Sequence, residues 1–218
     1  DAGDVVIDTG TLTMEDGAKI HSFTKGPGKG GNLTINVRDT VSLSGCASDK
    51  NGFQLTAFNT NAYDKGHAGD IILNTGTLML NQGAYIASSS LSSGNGGNLW
   101  VSCEIARFSG FVVNQDGVTL SSGLYSETFE DGTGGSVDFR CNQLELSNQG
   151  KISSASMGSG DAGNVHIHSE DTIRLWDKSA ISTGSENAGG GEITLSSEYL
   201  LYLSDSNIST SVKEGAGN

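Results

Sequence analysis

Short runs of alternating apolar and polar residues recur along the whole chain. The first run of each recurrence carries two apolar residues flanking one outward position: Val5/Ile7, Leu33/Ile35, Ile71/Leu73, Leu99/Val101, Val137/Phe139, Val165/Ile167 and Ile193/Leu195. Such period-two alternation is a strand with one buried face. Five or six residues on comes a second pair: Leu12/Met14, Val41/Leu43, Leu78/Leu80, Ala106/Phe108, Leu144/Leu146, Ile173/Leu175 and Leu201/Leu203. A short turn follows, often with glycine (Gly17, Gly83, Gly150), and then a third strand with a large apolar residue and a small one two places on. Those third pairs are read as Ile20/Ser22, Leu55/Ala57, Ile86/Ser88, Leu120/Ser122, Ile152/Ser154, Ile181/Thr183 and Ile208/Thr210. A helical period is found nowhere.

A Gly-rich turn precedes every first strand, as in "GKGGNLTI" and "GNGGNLWV". The aligned glycines are Gly3, Gly31, Gly69, Gly97, Gly135, Gly163 and Gly191, separated by 28 or 38 residues. A repeat in this range marks a solenoid. The pattern predicts a single all-β domain over 1–218: a parallel β-helix of about seven coils, each of three short strands. Coils stack roughly 4.8 Å apart, so the rod spans on the order of 34 Å. The bias of parallel crossovers favours a right-handed winding. One column of small residues, Thr9, Val37, Thr75, Cys103, Cys141, Ser169 and Ser197, suits a crowded inner corner. The chain opens mid-pattern at "DAGDVVI" and closes on "EGAGN", so both ends read as cuts in a longer protein.

The two 38-residue units are read as carrying two additions each. One follows the second strand (44–53 and 109–118), and the other lengthens the closing loop (56–68 and 121–134). Inserts in a solenoid project from one face, often the binding face. Their aromatics Phe58, Tyr63, Tyr125 and Phe129, with His67 beside them, are the candidate contact residues for a sugar or a protein. They can equally fold back to cover the shaft.

Charge narrows the partners. Twelve basic against 25 acidic residues give a net charge of −13, which opposes nucleic acid and anionic membrane. No apolar run is long enough to span a bilayer and no signal peptide is visible. Three cysteines do not make a disulfide framework. Cys103 and Cys141 share a column on successive coils, within disulfide reach, but in-register parallel neighbours rarely aim their side chains correctly. Two buried thiols are the plainer expectation.

Candidate chemistry is sparse. The second-turn column Asp16, Gln82, Asn148, Asp177, Asp205 puts the carboxylates of Asp177 and Asp205 on neighbouring coils. A glycosidase pair or a calcium site can be built from such carboxylates, with Asp131 and Asp161 as further oxygen donors. Turn positions call for these residue types anyway. No nonapeptide calcium array is present, so structural calcium stays open and no cofactor is expected. His166 and His168 point outward on one strand beside Asp138 and Arg140, which reads as a polar ladder before it reads as a metal site.

The opening stretch "GDVVIDTGTLTMEDGAKIHSFTKGPGKGGNLTINVRDTVSLSG", and its recurrences over the chain, resemble the repeat region of filamentous-haemagglutinin-like exoproteins of two-partner secretion, abundant in cyanobacteria and other Gram-negative bacteria. The resemblance implies a right-handed β-helix shaft, secretion to the cell surface, and adhesion to a cell, glycan or protein. It brings no catalytic residues. Two other readings stand beside it: a subunit that self-assembles into an extracellular fibre or sheath, and a β-helix polysaccharide lyase or hydrolase.

Overall fold

The computed structural model describes residues 1–49 and 52–213. The phase near Gly217, expected to open another repeat, lies outside them. Strands are numbered in chain order. One flank is a parallel sheet of β1 (Val5–Glu15), β3 (Leu33–Ser44), β7 (Ile71–Asn81), β9 (Leu99–Ser109), β13 (Val137–Ser147) and β15 (Val165–Trp176), closed by β17 (Ile193–Ser197) and β18 (Leu200–Ser204). The other is a parallel sheet of β2 (Lys19–Thr24), β6 (Ala57–Ala62), β8 (Tyr85–Ser90), β12 (Gly123–Thr128), β14 (Lys151–Ser156), β16 (Ala180–Ser185) and β19 (Asn207–Val212). Each strand pairs with its counterpart one coil away, and no helix occurs among the described residues. This is a parallel β-helix.

The expected columns form. Ile7, Ile35, Leu73, Val101, Phe139, Ile167 and Leu195 are successive register partners. Met14, Leu43, Leu80, Phe108, Leu146, Leu175 and Leu203 form a second file. The middle coils bury these side chains completely, each contributing about 1.5–3 kcal/mol.

Two expectations about the coil are corrected. First, the first and second strands are one continuous strand in six of the coils and separate only as β17 and β18. The corner between them is a bulge: Arg38 and Asp39 stand opposite the single residue Gly10, and the register shifts again between Cys141 and Gln143. An extra residue bends a strand without ending its ladder. Second, each 38-residue coil carries one insertion, not two. It is a hairpin placed before the third strand: β4 (Cys46–Asp49) with β5 (Gly52–Leu55), and β10 (Phe111–Val113) with β11 (Thr119–Ser121). The inward third-strand residues are therefore Phe58/Thr60 and Leu124/Ser126, in register with Ile20/Ser22 and Ile152/Ser154. Leu55 and Leu120 lie in the hairpins. The closing loops keep their ordinary length.

Polar ladders fix the corners. Ser88, Ser126 and Ser154 turn inward and donate to the carbonyls of Gly69, Gly97 and Gly135 at 2.5, 2.8 and 2.7 Å. Beside these glycines, the side-chain oxygens of Asp4, Asn32, Asp70 and Asn98 each accept the backbone N–H of the equivalent residue one coil on, at 2.7–2.9 Å. Each Asx residue thus locks two coils into register.

Candidate functional site

The four candidate aromatics part company. Phe58 points inward on β6, is 0% exposed, and belongs to the core. Tyr125 is on β12 rather than in a loop. It is half-buried, donates its O–H to the Ser121 carbonyl at 2.9 Å, and meets Tyr85 edge-on at 6.4 Å. Tyr63 and Phe129 are exposed at the ends of β6 and β12. Backbone N–H donations from Tyr63 to Thr24, Leu91 to Ala62, Phe129 to Ser90 and Met157 to Thr128 put these residues on successive coils in one file. Leu91 and Met157 belong with the two aromatics. Their 28- and 38-residue offsets from Tyr63 and Phe129 were the available signal.

The hairpins flank the coil-3 turn. Gly45 and Gly110, at φ 76° and 87°, launch them in the left-handed region. Thr56 accepts the Gly17 N–H and donates to the Ser44 carbonyl, while Ser122 does the same between Gly83 and Ser109, all at 2.8–2.9 Å. A Cβ at Gly83 would meet Leu55 of one hairpin and Val112 of the other. The inserts thus brace the turns between them.

A groove of about 680 Å³ runs along the outer side of the bulged corner. Its floor is a file of planar polar groups. Asn36 donates to Asp8 at 2.8 Å, and Asn74 donates to Asn36 at 2.9 Å. The guanidinium of Arg38 reaches over Gly10, where a Cβ would stand 3.2 Å from it, and Glu104 lies at the far end. In the next outward file, Ile72 and Trp100 are register neighbours, each 40% exposed. Further along, the same outward files pass through Asp138, Arg140, His166 and His168. His168 Nδ1 lies 2.8 Å from Ser196 Oγ, so the two histidines sit in a polar ladder.

The remaining candidates have local roles. Asp16, Gln82, Asn148, Asp177 and Asp205 all have φ between 47° and 54° and make the turn into the third strand. Asp and Asn tolerate that left-handed conformation better than other side-chain-bearing residues. Asp131 accepts from Ser159 at 2.8 Å, and Asp161 accepts the Gly189 N–H at 2.7 Å. Among the described residues, no three His, Cys, Asp or Glu side chains converge as a metal set. Cys103 and Cys141 are buried free thiols. Burial, then the nearness of Cys141 and Glu104, pushes Cys103 up, and burial lifts Cys141 to about 12. Thiolate is the reactive form. A thiol reagent should therefore label only Cys46 in the native chain and all three cysteines in denaturant; rapid native labelling of Cys103 would contradict this placement.

Glu127, outward on β12, is pushed above the ordinary carboxyl value by burial, with Lys151 and a Ser153 hydrogen bond pulling the other way. A raised folded pKa favours the folded state below the unfolded value and loses that advantage as pH rises. Glu127→Gln should raise the urea midpoint at pH 7 and leave it unchanged well below the ordinary Glu value of 4.5. An equal shift at both pH values would remove ionisation as the cause.

No family model matches the chain, and neither a curated protein nor a solved structure matches it.

Proposed function

We propose that the chain is part of an extracellular surface shaft, exported by two-partner secretion, that adheres to neutral glycans through the corner groove. The observation carrying this reading is the groove itself: Asp8, Asn36 and Asn74 in file, Arg38 beside them at the bulge, and Trp100 exposed in the neighbouring outward file. Sugar hydroxyls donate and accept, and carboxylate, carboxamide and guanidinium groups supply both complements in planar pairs. An indole offers an apolar face with a polar edge for the C–H side of a pyranose. The groove is shallow and open to solvent, which suits an extended chain laid across it rather than an enclosed small ligand. A net charge of −13 works against sulfated or uronate-rich chains, which selects neutral ones. The resemblance to filamentous-haemagglutinin-like repeats supports the export and adhesion parts of the reading.

A glycan array probed with the chain is the test. Retention of neutral oligosaccharides is expected, falling at least about tenfold for Asn36→Ala/Asn74→Ala and for Trp100→Ala, a loss of about 1.4 kcal/mol or more. Both variants alter outward positions and should keep the β-sheet circular dichroism spectrum. An array on which nothing is retained, or on which both variants bind like the parent, overturns the proposal. Release of new reducing ends from a retained polysaccharide would replace adhesion by hydrolysis.

A further inference from the structure

The exposed file at the end of the second sheet has a charge order that the glycan reading does not use. Continued in both directions it reads Lys25, Tyr63, Leu91, Phe129, Met157, Glu186, Lys213, one residue per coil. Four consecutive members are large and apolar, and each is at least 38% exposed. Phe23, exposed in the adjoining file, packs edge-on against Tyr63 at 5.9 Å and widens the stripe. Lys25 stands beyond one end of the apolar run; beyond the other stands Glu186, which also ion-pairs with Lys213 on the next coil of its own chain.

We infer that this stripe is a self-complementary interface, on which a second copy of the chain lies side by side and antiparallel. A two-fold axis across the shaft, between Leu91 and Phe129, keeps each file over itself and reverses the coil order. Leu91 then meets Phe129 of the second copy, Tyr63 meets Met157, and Lys25 meets Glu186. The flanking files agree. Phe23 comes opposite Gly184, Asn61 opposite Ala155, and Ser89 opposite Glu127. On the other side Asp64 faces Gly158, and Glu130 faces Ser92. No like charges meet in any of the three files. The parallel alternative sets each residue of the central file against itself and swaps the flanking files, so that Lys25 faces Lys25 and Glu127 faces Glu130, which costs attraction. The charge order therefore specifies both the partner and the direction.

Four side chains spaced roughly 4.8 Å apart make a short contact, which places the dimer among weak, concentration-dependent associations. Two copies of net charge −13 also repel, so association needs near-physiological salt.

The test has two arms, both in a Cys46→Ser background. In sedimentation across micromolar to near-millimolar concentrations, the chain should shift from monomer to dimer. Phe129→Lys should weaken that shift by at least about tenfold, and Lys25→Glu by a smaller factor. In the second arm, Tyr63→Cys and Met157→Cys are introduced singly and together. Within one chain these positions are three coils apart, about 14 Å, too far for a disulfide. Mild oxidation should link the double variant into dimers and leave each single variant unlinked. Cross-linking by the single variants indicates the parallel register and overturns the inference. So does a chain that stays monomeric throughout, whatever else is found to bind the stripe.

Discussion

Phe58→Ala is expected to destabilise the shaft by about 3–5 kcal/mol, the range for emptying a fully buried aromatic site. Phe58 sits between Ile20 and Ile86 in the inward file of the second sheet, with no solvent exposure. Parallel ladders hold β2 and β8 on either side, so the neighbouring backbone cannot collapse into the space. Removing the ring leaves a void beside Ile20 and Ile86, and the lost contacts are not replaced. Leu55→Ala in the hairpin, where the side chain is half-buried, should cost less than half as much. Tyr63→Ala at the exposed end of β6 should cost only about 0.5 kcal/mol. Urea denaturation of the three variants ranks them directly. A larger loss for Leu55→Ala than for Phe58→Ala would restore the register in which Leu55 is the inward residue.

That register shows how far the sequence could be read. A solenoid places each residue beside its counterpart one repeat away, so local alternation and a repeat length fix most of the three-dimensional neighbours. This is why the files through Ile7 and Met14 could be written down directly. The first inserted coil is ambiguous to alternation alone, because Leu55-x-Ala57 and Phe58-x-Thr60 both present a large residue followed by a small one. A hydroxyl decides between them. The small inward residue must donate to a corner glycine carbonyl, as Thr60 does to Gly69 at 2.6 Å, and Ala57 has nothing to donate. Its counterparts Ser22, Ser88, Ser126, Ser154 and Thr183 also carry hydroxyls, so the signal was present in the column. Counting nine residues from Thr60 to Gly69, as from Ser88 to Gly97, gives the same answer. The groove was less legible. Asp8, Asn36 and Asn74 could be placed outward, but the hollow they line depends on the bulge at Arg38 and Asp39, which alternation does not encode. Asp177 and Asp205 are ambiguous for another reason: one residue type serves a calcium ligand and a left-handed turn alike, and the backbone angles of 54° and 47° show only the turn.

Gly69→Ala should be more damaging than its single added methyl suggests, costing about 3 kcal/mol or more. A Cβ at Gly69 would overlap the carbonyl oxygen of Gly31, one coil away, and the same clash recurs from Gly97 to Gly69 and from Gly135 to Gly97. The backbone here lies outside the left-handed region, so glycine is required for closeness rather than for conformation. No rotamer change relieves an overlap with backbone. The coils must separate or the corner must shift, and the corner is pinned: the Gly69 carbonyl accepts from both Thr60 and Ser88. Displacing it therefore loosens two inward hydroxyls and the Asp70 lock together. Because a solenoid is coupled only through neighbours, the damage concentrates at the interface between the second and third coils. Thermal unfolding should then split into two transitions, with amide exchange faster on either side of that interface. Gly26→Ala is the matched control, since a Cβ there meets nothing within 4 Å. It should be neutral or stabilising by about 0.5 kcal/mol through the unfolded chain. If Gly69→Ala unfolds in one transition within about 1 kcal/mol of the parent, the corner has slack, and the column of glycines needs a reason other than the spacing between coils.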